Sequence, residues 1–354
     1  MGYLGKISIN KDITVAYTMP ALYYNSEEYF KLSAYKIFSR SWQIISHLKS
    51  IHNNITPFTF LENFIDEPCI IIKDKNVRVL SNVCTHRANI LCAKKENTKS
   101  IQCNYHGRTF DLNGKLNKAP GFKNVKDFPN VSDNLKQLPI KIWKDFIFCS
   151  MCNSFNINQV LEDIDSRLSD YPFNDLEYDS KNSNTYTINA HWAIYCENFL
   201  EGFHVPFVHK GLNDNIDYSS YETILIDHSV LQIAKNKTND NSYKQLFKDN
   251  IYAHYYWIFP NIMLNFYNWG LSINIIEPIN KNKTRIKFLS FPIKGNIQPQ
   301  DIPAGINIIE NEDQQIVMKV QRGIKSLHYN KGRYSAIHEK GVHYFHRLIA
   351  RYLI

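Results

Sequence analysis

Between residues 84 and 110 the chain reads CTHRANILCAKKENTKSIQCNYHGRTF. Cys84-x-His86 is followed, sixteen residues on, by Cys103-x-x-His106. Thiolate and imidazole both bind borderline-soft metals, so two Cys and two His by themselves suit a structural zinc. The pairing points elsewhere. A zinc finger of this ligand type groups its cysteines in one pair and its histidines in the other, whereas each pair here mixes one of each. In a two-iron cluster with two Cys on one iron and two His on the other, each loop gives one ligand to each iron, and His ligation raises the potential above that of all-Cys clusters.

A second group of metal-binding side chains lies in ENFLEGFHVPFVH, residues 197 to 209. Glu201 and His204 are three apart, which on a helix places them on one face. Pro206 is expected to end or kink that helix, so that His209, five residues on, swings toward the same centre. Two His with one distant carboxylate make the facial triad of non-haem Fe(II) oxygenases, which leaves coordination positions open. Core packing or capping would be the plainer role for two histidines. The carboxylate must come from elsewhere, and IIENEDQQIVMKVQRG (308 to 323) offers Glu310, Glu312 and Asp313 at the start of a helix. Acids there would also suit the helix dipole.

The elements that must carry these groups change character along the chain. Residues 24 to 42 have helical periodicity. From 57 to 150 short runs of β-formers alternate with turn residues, including Asn113-Gly114 in a hairpin-like setting. This reads as a small all-β module with the Cys/His pairs near loop tips. Residues 153 to 183 are polar and helical in part, and the domain boundary is placed near 155, giving domains 1–155 and 156–354. Residues 185 to 204 pass from alternation into a helix. Strands are expected within 222–234 and 252–293, and helices over 305–325 and 337–353. The second half is therefore α+β, with a mostly antiparallel sheet, and no internal repeat is visible.

With 354 residues, two domains are the default. Apolar content of 44% and charged content of 21% describe a globular protein. The net charge of +8 is scattered rather than blocked, which argues against nucleic acid and leaves an acidic protein partner or a simply solvated surface. Seven Cys without scaffold-like spacing fit a reducing compartment, and a cytoplasmic location is expected. The N-terminus lacks a signal-peptide pattern, and no run of about 18 apolar residues suggests a membrane span. Cys149-Ser-Met-Cys152 has no second ligand pair and reads as ordinary thiols, as does Cys92, while His343 and His346 in GVHYFHRL read as structural.

The Cys/His segment resembles a Rieske [2Fe–2S] site. That resemblance implies Cys84 and Cys103 on one iron, His86 and His106 on the other. Members of that family often carry Trp after the His-Gly of the second pair, where this chain has Arg108, a change beside the ligands that would tune the potential through charge. Respiratory Rieske proteins add a disulfide from positions that are Asn89 and Tyr105 here, which argues against a respiratory role. Nearly end to end, the chain resembles the α subunit of a Rieske non-haem iron oxygenase, in the choline monooxygenase-type branch. The motifs are CTHRANIL, CNYHG, ENFLEGFHVPFVHKGL, EDQQIVMKVQRG and GRYSAIHEKGVHYFH.

The resemblance implies an N-terminal Rieske domain, a helix-grip catalytic domain with mononuclear Fe(II), and a head-to-tail homotrimer. It makes Asp313 the third ligand beside His204 and His209. Glu201 would link a neighbouring subunit's cluster to this iron, with Glu197, one turn earlier, as buttress. The implied reaction uses O2 and external electrons to hydroxylate a C–H bond, with a separate NAD(P)H-dependent reductase, with or without a ferredoxin, because no flavin or nicotinamide fingerprint is visible. The branch suggests a choline-, betaine- or carnitine-type amine. A trimethylammonium group would want aromatic faces, available from Tyr195, Phe199, Phe203, Phe207, Tyr255, Tyr256, Trp257, Phe266, Tyr267 and Trp269, about half of which must be core. The alternatives are an aromatic-ring dioxygenase α subunit and, more remotely, a Rieske electron carrier without oxygenase activity.

Overall fold

A computed structural model describes residues 5–237, 246–295 and 305–354. The chain divides into two compact units, one of residues 39–154 and one combining 1–38 with 155–354. The N-terminal segment therefore belongs with the C-terminal unit, not with the β module as a boundary near 155 alone had suggested. Polar tethers explain this. The Tyr24 hydroxyl donates to Glu197 at 2.6 Å, and the Met19 amide lies 3.3 Å from His346 Nδ1. The expected single helix is two, α1 (Ala21–Asn25) and α2 (Glu27–Lys36). Ser26 breaks them in extended conformation and its side chain caps Tyr29 N, as a serine N-cap favours.

The central unit is all antiparallel β. Strands β1 (Gln43–His47), β2 (Ile55–Phe60), β3 (Glu67–Lys73), β4 (Val77–Ser81), β5 (Ile101–Gln102), β6 (Thr109–Phe110), β7 (Leu116–Lys118), β8 (Gln137–Leu138), β9 (Ile140–Trp143) and β10 (Phe146–Cys149) form three small sheets. Their orders are β1-β10-β9, β2-β3-β4-β8 and β5-β6-β7. The Asn113-Gly114 turn joins β6 to β7, with Gly114 at φ +84°, a conformation that glycine adopts without steric cost. Ile55, Ile70, Ile72, Leu80, Phe110 and Leu116 make a core that also encloses Cys84, Cys92 and Cys103. Cys92 is structural, as expected: its amide and carbonyl bond the Asn82 side chain at 2.9 and 2.8 Å. Cys149 is fully buried, and burial pushes its thiol up to about 12, which disfavours the reactive thiolate.

The other unit is built on a seven-stranded antiparallel sheet. Its strands are β11 (Asp179–Ile188), β12 (Ile216–Ile226), β13 (Ser229–Asn236), β14 (Ile251–Ile258), β15 (Ile262–Tyr267), β16 (Gly270–Asn280) and β17 (Lys283–Pro292). They pair in the order β11-β17-β16-β15-β14-β13-β12. Helices α3 (Asn158–Arg167), α4 (Trp192–Phe199), α5 (Val205–Val208), α6 (Lys210–Asn215), α7 (Gly305–Gly323) and α8 (Lys340–Tyr352) accompany it. The α+β expectation holds. Trp192 on α4 and Trp257 on β14 both meet the Phe345 ring on α8, at 5.7 and 5.1 Å between centroids. All three are fully buried and fix α4, and hence the segment that follows it, against the sheet.

Candidate metal centres and active site

The two Cys/His loops have one backbone design. In each, the amide four residues after the cysteine bonds back to the cysteine carbonyl: Ala88 N to Cys84 O at 3.1 Å, Gly107 N to Cys103 O at 3.0 Å. In each, the cysteine amide bonds the carbonyl five residues on, that of Asn89 at 2.9 Å or of Arg108 at 2.8 Å. Ala88 and Gly107 both sit at positive φ, 55° and 73°. Two equivalent loops thus present their side chains to a common centre. Cys84 and Cys103 are buried and hydrogen-bonded to each other, while the half-buried His86 and His106 rings lie 4.7 Å apart.

The donor chemistry fits a two-iron cluster. His86 Nδ1 is a buried polar atom without a hydrogen-bond partner, which costs free energy unless something not present here engages it. Asn89 Nδ2 donates to Asn104 Oδ1 at 2.9 Å and lies 3.6 Å from Cys103 Sγ. Asn89 thus clamps the two loops together by a hydrogen bond. Arg108 is buried and forms a second clamp. Its guanidinium reaches Thr85 Oγ1, between Cys84 and His86, at 3.1 Å, and Asp133 at 3.6 Å. It lies over the Phe122 ring at 4.5 Å. Burial and then the Arg108 charge depress the pKa of His86.

The second centre forms where α4 ends. The helix stops at Phe199, before Glu201, so Glu201 and His204 share a turn rather than a helical face, and Pro206 opens α5 instead of ending α4. The cause is local. Leu200 leaves helical geometry at ψ 7°, its amide shared by the Cys196 and Glu197 carbonyls, and Gly202 follows where a Cβ would stand 2.8 Å from the Tyr221 ring. Three-residue spacing still joins the pair: Glu201 accepts from the His204 amide at 3.0 Å and meets His204 Nδ1 at 2.7 Å. Asp313 lies in the third turn of α7, not at its start, so a helix-dipole role, which fades after the first turn, does not account for it.

His204, His209 and Asp313 converge. His204 Nε2 and His209 Nε2 are 3.2 Å apart, and Asp313 Oδ1 is 3.0 Å from the latter and 3.5 Å from the former. Asn198 Nδ2 holds that same oxygen at 2.7 Å. On the far side of each imidazole, Nδ1 faces a carboxylate: Glu201 for His204, and Glu312 at 2.8 Å for His209. Each Nδ1 proton is thereby committed, which leaves both Nε2 lone pairs aimed at one point beside a carboxylate. With both imidazole protons on Nδ1, three lone pairs converge, a donor set that fits a divalent cation. Burial opposes charge on His209, but Asp313 and Glu312 outweigh it and raise its pKa.

A cavity opens beside this centre. Gln232, Tyr255, Asn265 and Ser272 pair in sequence across β13, β14, β15 and β16, and the first three line it. Tyr195, Phe199, Tyr267 and Trp269 line it too. Of the other expected aromatics, Tyr256, Trp257 and Phe266 are core, and Phe203 and Phe207 are exposed. Tyr221 and Tyr252 were not foreseen as lining residues. A bulge opposite Ala234/Lys235 makes Tyr252 the unpaired extra residue and turns it toward the cavity. Glu310 also lines it, held by the Tyr195 hydroxyl at 2.5 Å. Burial, then the Asp313 charge, push Glu310 up to about 8; a cation in the cavity acts in the opposite direction.

A second cavity lies on the other side, and Asn198, Glu201 and His204 border both. Glu197 lines it with His346, their side chains 3.1 Å apart. His346 Nδ1 is 2.6 Å from the Tyr334 hydroxyl, and His343 Nε2 is 2.7 Å from the Asn10 carbonyl. Both histidines brace the N-terminal segment.

Residues 41–129 match the Rieske [2Fe-2S] domain, and residues 175–354 match the ring hydroxylating alpha subunit (catalytic domain). The protein is thus an oxygenase with a Rieske cluster and a catalytic domain that binds mononuclear iron. The chain belongs to the ring-hydroxylating alpha subunit family. It is 27% identical to choline monooxygenase, chloroplastic, of Arabidopsis thaliana, over 94% of this chain and 82% of that one. It is 26% identical to the carnitine monooxygenase oxygenase subunit of Escherichia coli (strain K12), over 95% and 94%. A quaternary ammonium Rieske monooxygenase in complex with L-carnitine shares the fold, with TM-score 0.79 at 23% identity over 99% of this chain and 100% of that one. So does naphthalene 1,2-dioxygenase from Rhodococcus, at 0.72 and 15% over 95% and 94%.

Proposed function

We propose that this enzyme hydroxylates a C–H bond of a quaternary or tertiary amine of the choline, betaine or carnitine type. The observation that carries the reading is the cavity: Tyr195, Tyr252, Tyr255, Tyr267 and Trp269 beside a carboxylate, next to the convergent His204, His209 and Asp313. Aromatic faces and a buried acid suit an alkylammonium. The printed names of the relatives, choline and carnitine monooxygenase, agree with it.

In this reading Cys84, Cys103, His86 and His106 hold the cluster, and His204, His209 and Asp313 hold iron. Iron held there would supply O2 activation and the oxidising step. The chain's own residues orient and shelter. Glu201 and Glu312 fix the imidazole tautomers, Asn198 fixes the carboxylate, and the aromatic walls hold the substrate and exclude water. Glu201, between the two cavities, links a neighbouring subunit's cluster to His204 in a homotrimer. Electrons enter from outside, from a separate NAD(P)H-dependent reductase directly or through a ferredoxin. A cytoplasmic setting is consistent with the free cysteines of the described residues, none of whose helices is long and apolar enough to cross a membrane.

The test is NADH-coupled O2 uptake with a surrogate reductase over a panel of amines and arenes, with product analysis. Hydroxylated or dealkylated amine is the expected product. Turnover of arenes alone would favour the ring-dioxygenase reading instead, and O2 uptake with neither would overturn the substrate class.

A further inference from the structure

Charge inside the cavity narrows the substrate beyond that class. Glu310 comes from α7, one turn before Asp313. It is half-buried and lines the cavity, and the Tyr195 hydroxyl donates to Oε2, which orients the carboxylate. Among the described residues no lysine or arginine lines the same space. One neutral polar group there also favours a donor. Gln232 is 1% exposed. Its Nε2 is committed to the Phe199 carbonyl at 2.7 Å, which fixes the amide's orientation and leaves Oε1 buried with no partner. A buried acceptor without a donor costs about 1–3 kcal/mol, and a substrate hydroxyl or N–H would engage it.

We propose that Glu310, oriented by Tyr195, makes this enzyme select a cationic amino alcohol or amine and reject zwitterions that carry a carboxylate. A carnitine, γ-butyrobetaine or glycine betaine carboxylate would enter a space lined by Glu310 and Gln232 and by no described basic side chain. It would be desolvated beside the Glu310 carboxyl, which repels it once ionised, with no described basic side chain to pair it. Choline places its ammonium among the aromatic rings and has a hydroxyl to offer Gln232. Glu310 is thus a specificity residue, and this inference rests on the proposed amine class.

The experiment is calorimetric binding to the anaerobic holoenzyme, with iron content checked first. Four ligands are compared: choline, its uncharged isostere 3,3-dimethyl-1-butanol, L-carnitine and γ-butyrobetaine. In the wild type, choline should bind at least about tenfold more tightly than the isostere and the zwitterions. Glu310→Gln should collapse the choline-to-isostere ratio toward one and narrow the gap to the zwitterions. Tyr195→Phe, which frees the carboxylate but keeps it, should fall between. Zwitterions bound within twofold of choline by the wild type would overturn the proposal without any variant, as would an unchanged choline-to-isostere ratio in Glu310→Gln. Those outcomes leave the amine class standing. Failure of every ammonium ligand to bind would instead sink the class itself, and the role of Glu310 with it.

Discussion

His204 Nε2 and His209 Nε2 face each other at 3.2 Å, and the Nδ1 of each ring is held by its own carboxylate, Glu201 or Glu312. With both protons held on Nδ1, the two Nε2 lone pairs meet beside Asp313, an arrangement that a shared cation stabilises. The carboxylates behind them set the ring orientation and the tautomer. Glu312→Gln should therefore weaken iron binding about 10- to 100-fold, the usual cost of losing such a partner. Asn198→Ala, which frees the Asp313 oxygen, should do the same in smaller measure. Iron titration of the metal-depleted protein checks both, and unchanged affinity in Glu312→Gln would show that the tautomer is set elsewhere.

Glu201 borders both cavities and does not belong to the convergent set. In Glu201→Gln both metal sites should load, and the reductase should still reduce the cluster. Product formation should collapse by orders of magnitude because the link to His204 is lost. Rapid-mixing spectroscopy of cluster reoxidation reads the step directly. Normal reoxidation and full turnover would remove Glu201 from the electron path.

Arg108 ties the two cluster loops together through Thr85 and brings a buried cation to them. A nearby cation favours the reduced, more negative cluster. Arg108→Gln should lower the reduction potential measured by protein-film voltammetry, while His86→Ala and Cys103→Ser should abolish the cluster's paramagnetic resonance signal. A potential that rises, or does not move, would show that Asp133, at 3.6 Å, already neutralises the charge.

Stability should fall in mild acid because of His191. It is fully buried, and burial holds its pKa down at about 3. Below an ordinary histidine value of about 6.5 the unfolded chain binds a proton that the folded chain refuses. The folded state is thus unpenalised above about pH 6.5 and loses stability as pH drops from there toward 3, by roughly 1.4 kcal/mol per unit. His191→Asn keeps an N-cap for α4 and should flatten the slope of unfolding free energy against pH over that window. An unchanged slope would assign the acid sensitivity to other groups, the buried His254 among them.

What could be read from the sequence was what short spacing controls. The two Cys/His loops need only local turns, so their residues were visible as a unit. Glu201 and His204 were expected on one helical face and meet in a turn instead, because three-residue spacing brings side chains together in either geometry. Asp313 needed the family pattern, since three acids within four positions compete and only the register of α7 separates them. The cavity was less legible. Tyr252 points inward through a bulge, and Gln232 joins Tyr255 and Asn265 through pairing across three strands. Such registers depend on turns far away in sequence. The one available signal was polar residues, Gln232, Asn265 and Asn274, inside otherwise apolar strands, all buried. The N-terminal helices belong to the C-terminal unit through contacts such as Tyr24 with Glu197, which no local pattern announces.

The central claim is that a mononuclear iron sits among His204, His209 and Asp313, separate from the Rieske cluster. Iron and acid-labile sulfide per chain, measured for the wild type and for Asp313→Ala, test it most directly. The wild type should hold about three irons and about two sulfides, the cluster accounting for two irons and both sulfides. Asp313→Ala should hold about two of each, keep the cluster's paramagnetic resonance signal and lose turnover, because a site left with two histidines binds Fe(II) weakly. Full iron occupancy in Asp313→Ala would contradict the account and pass the ligand role to Glu310 or Glu312.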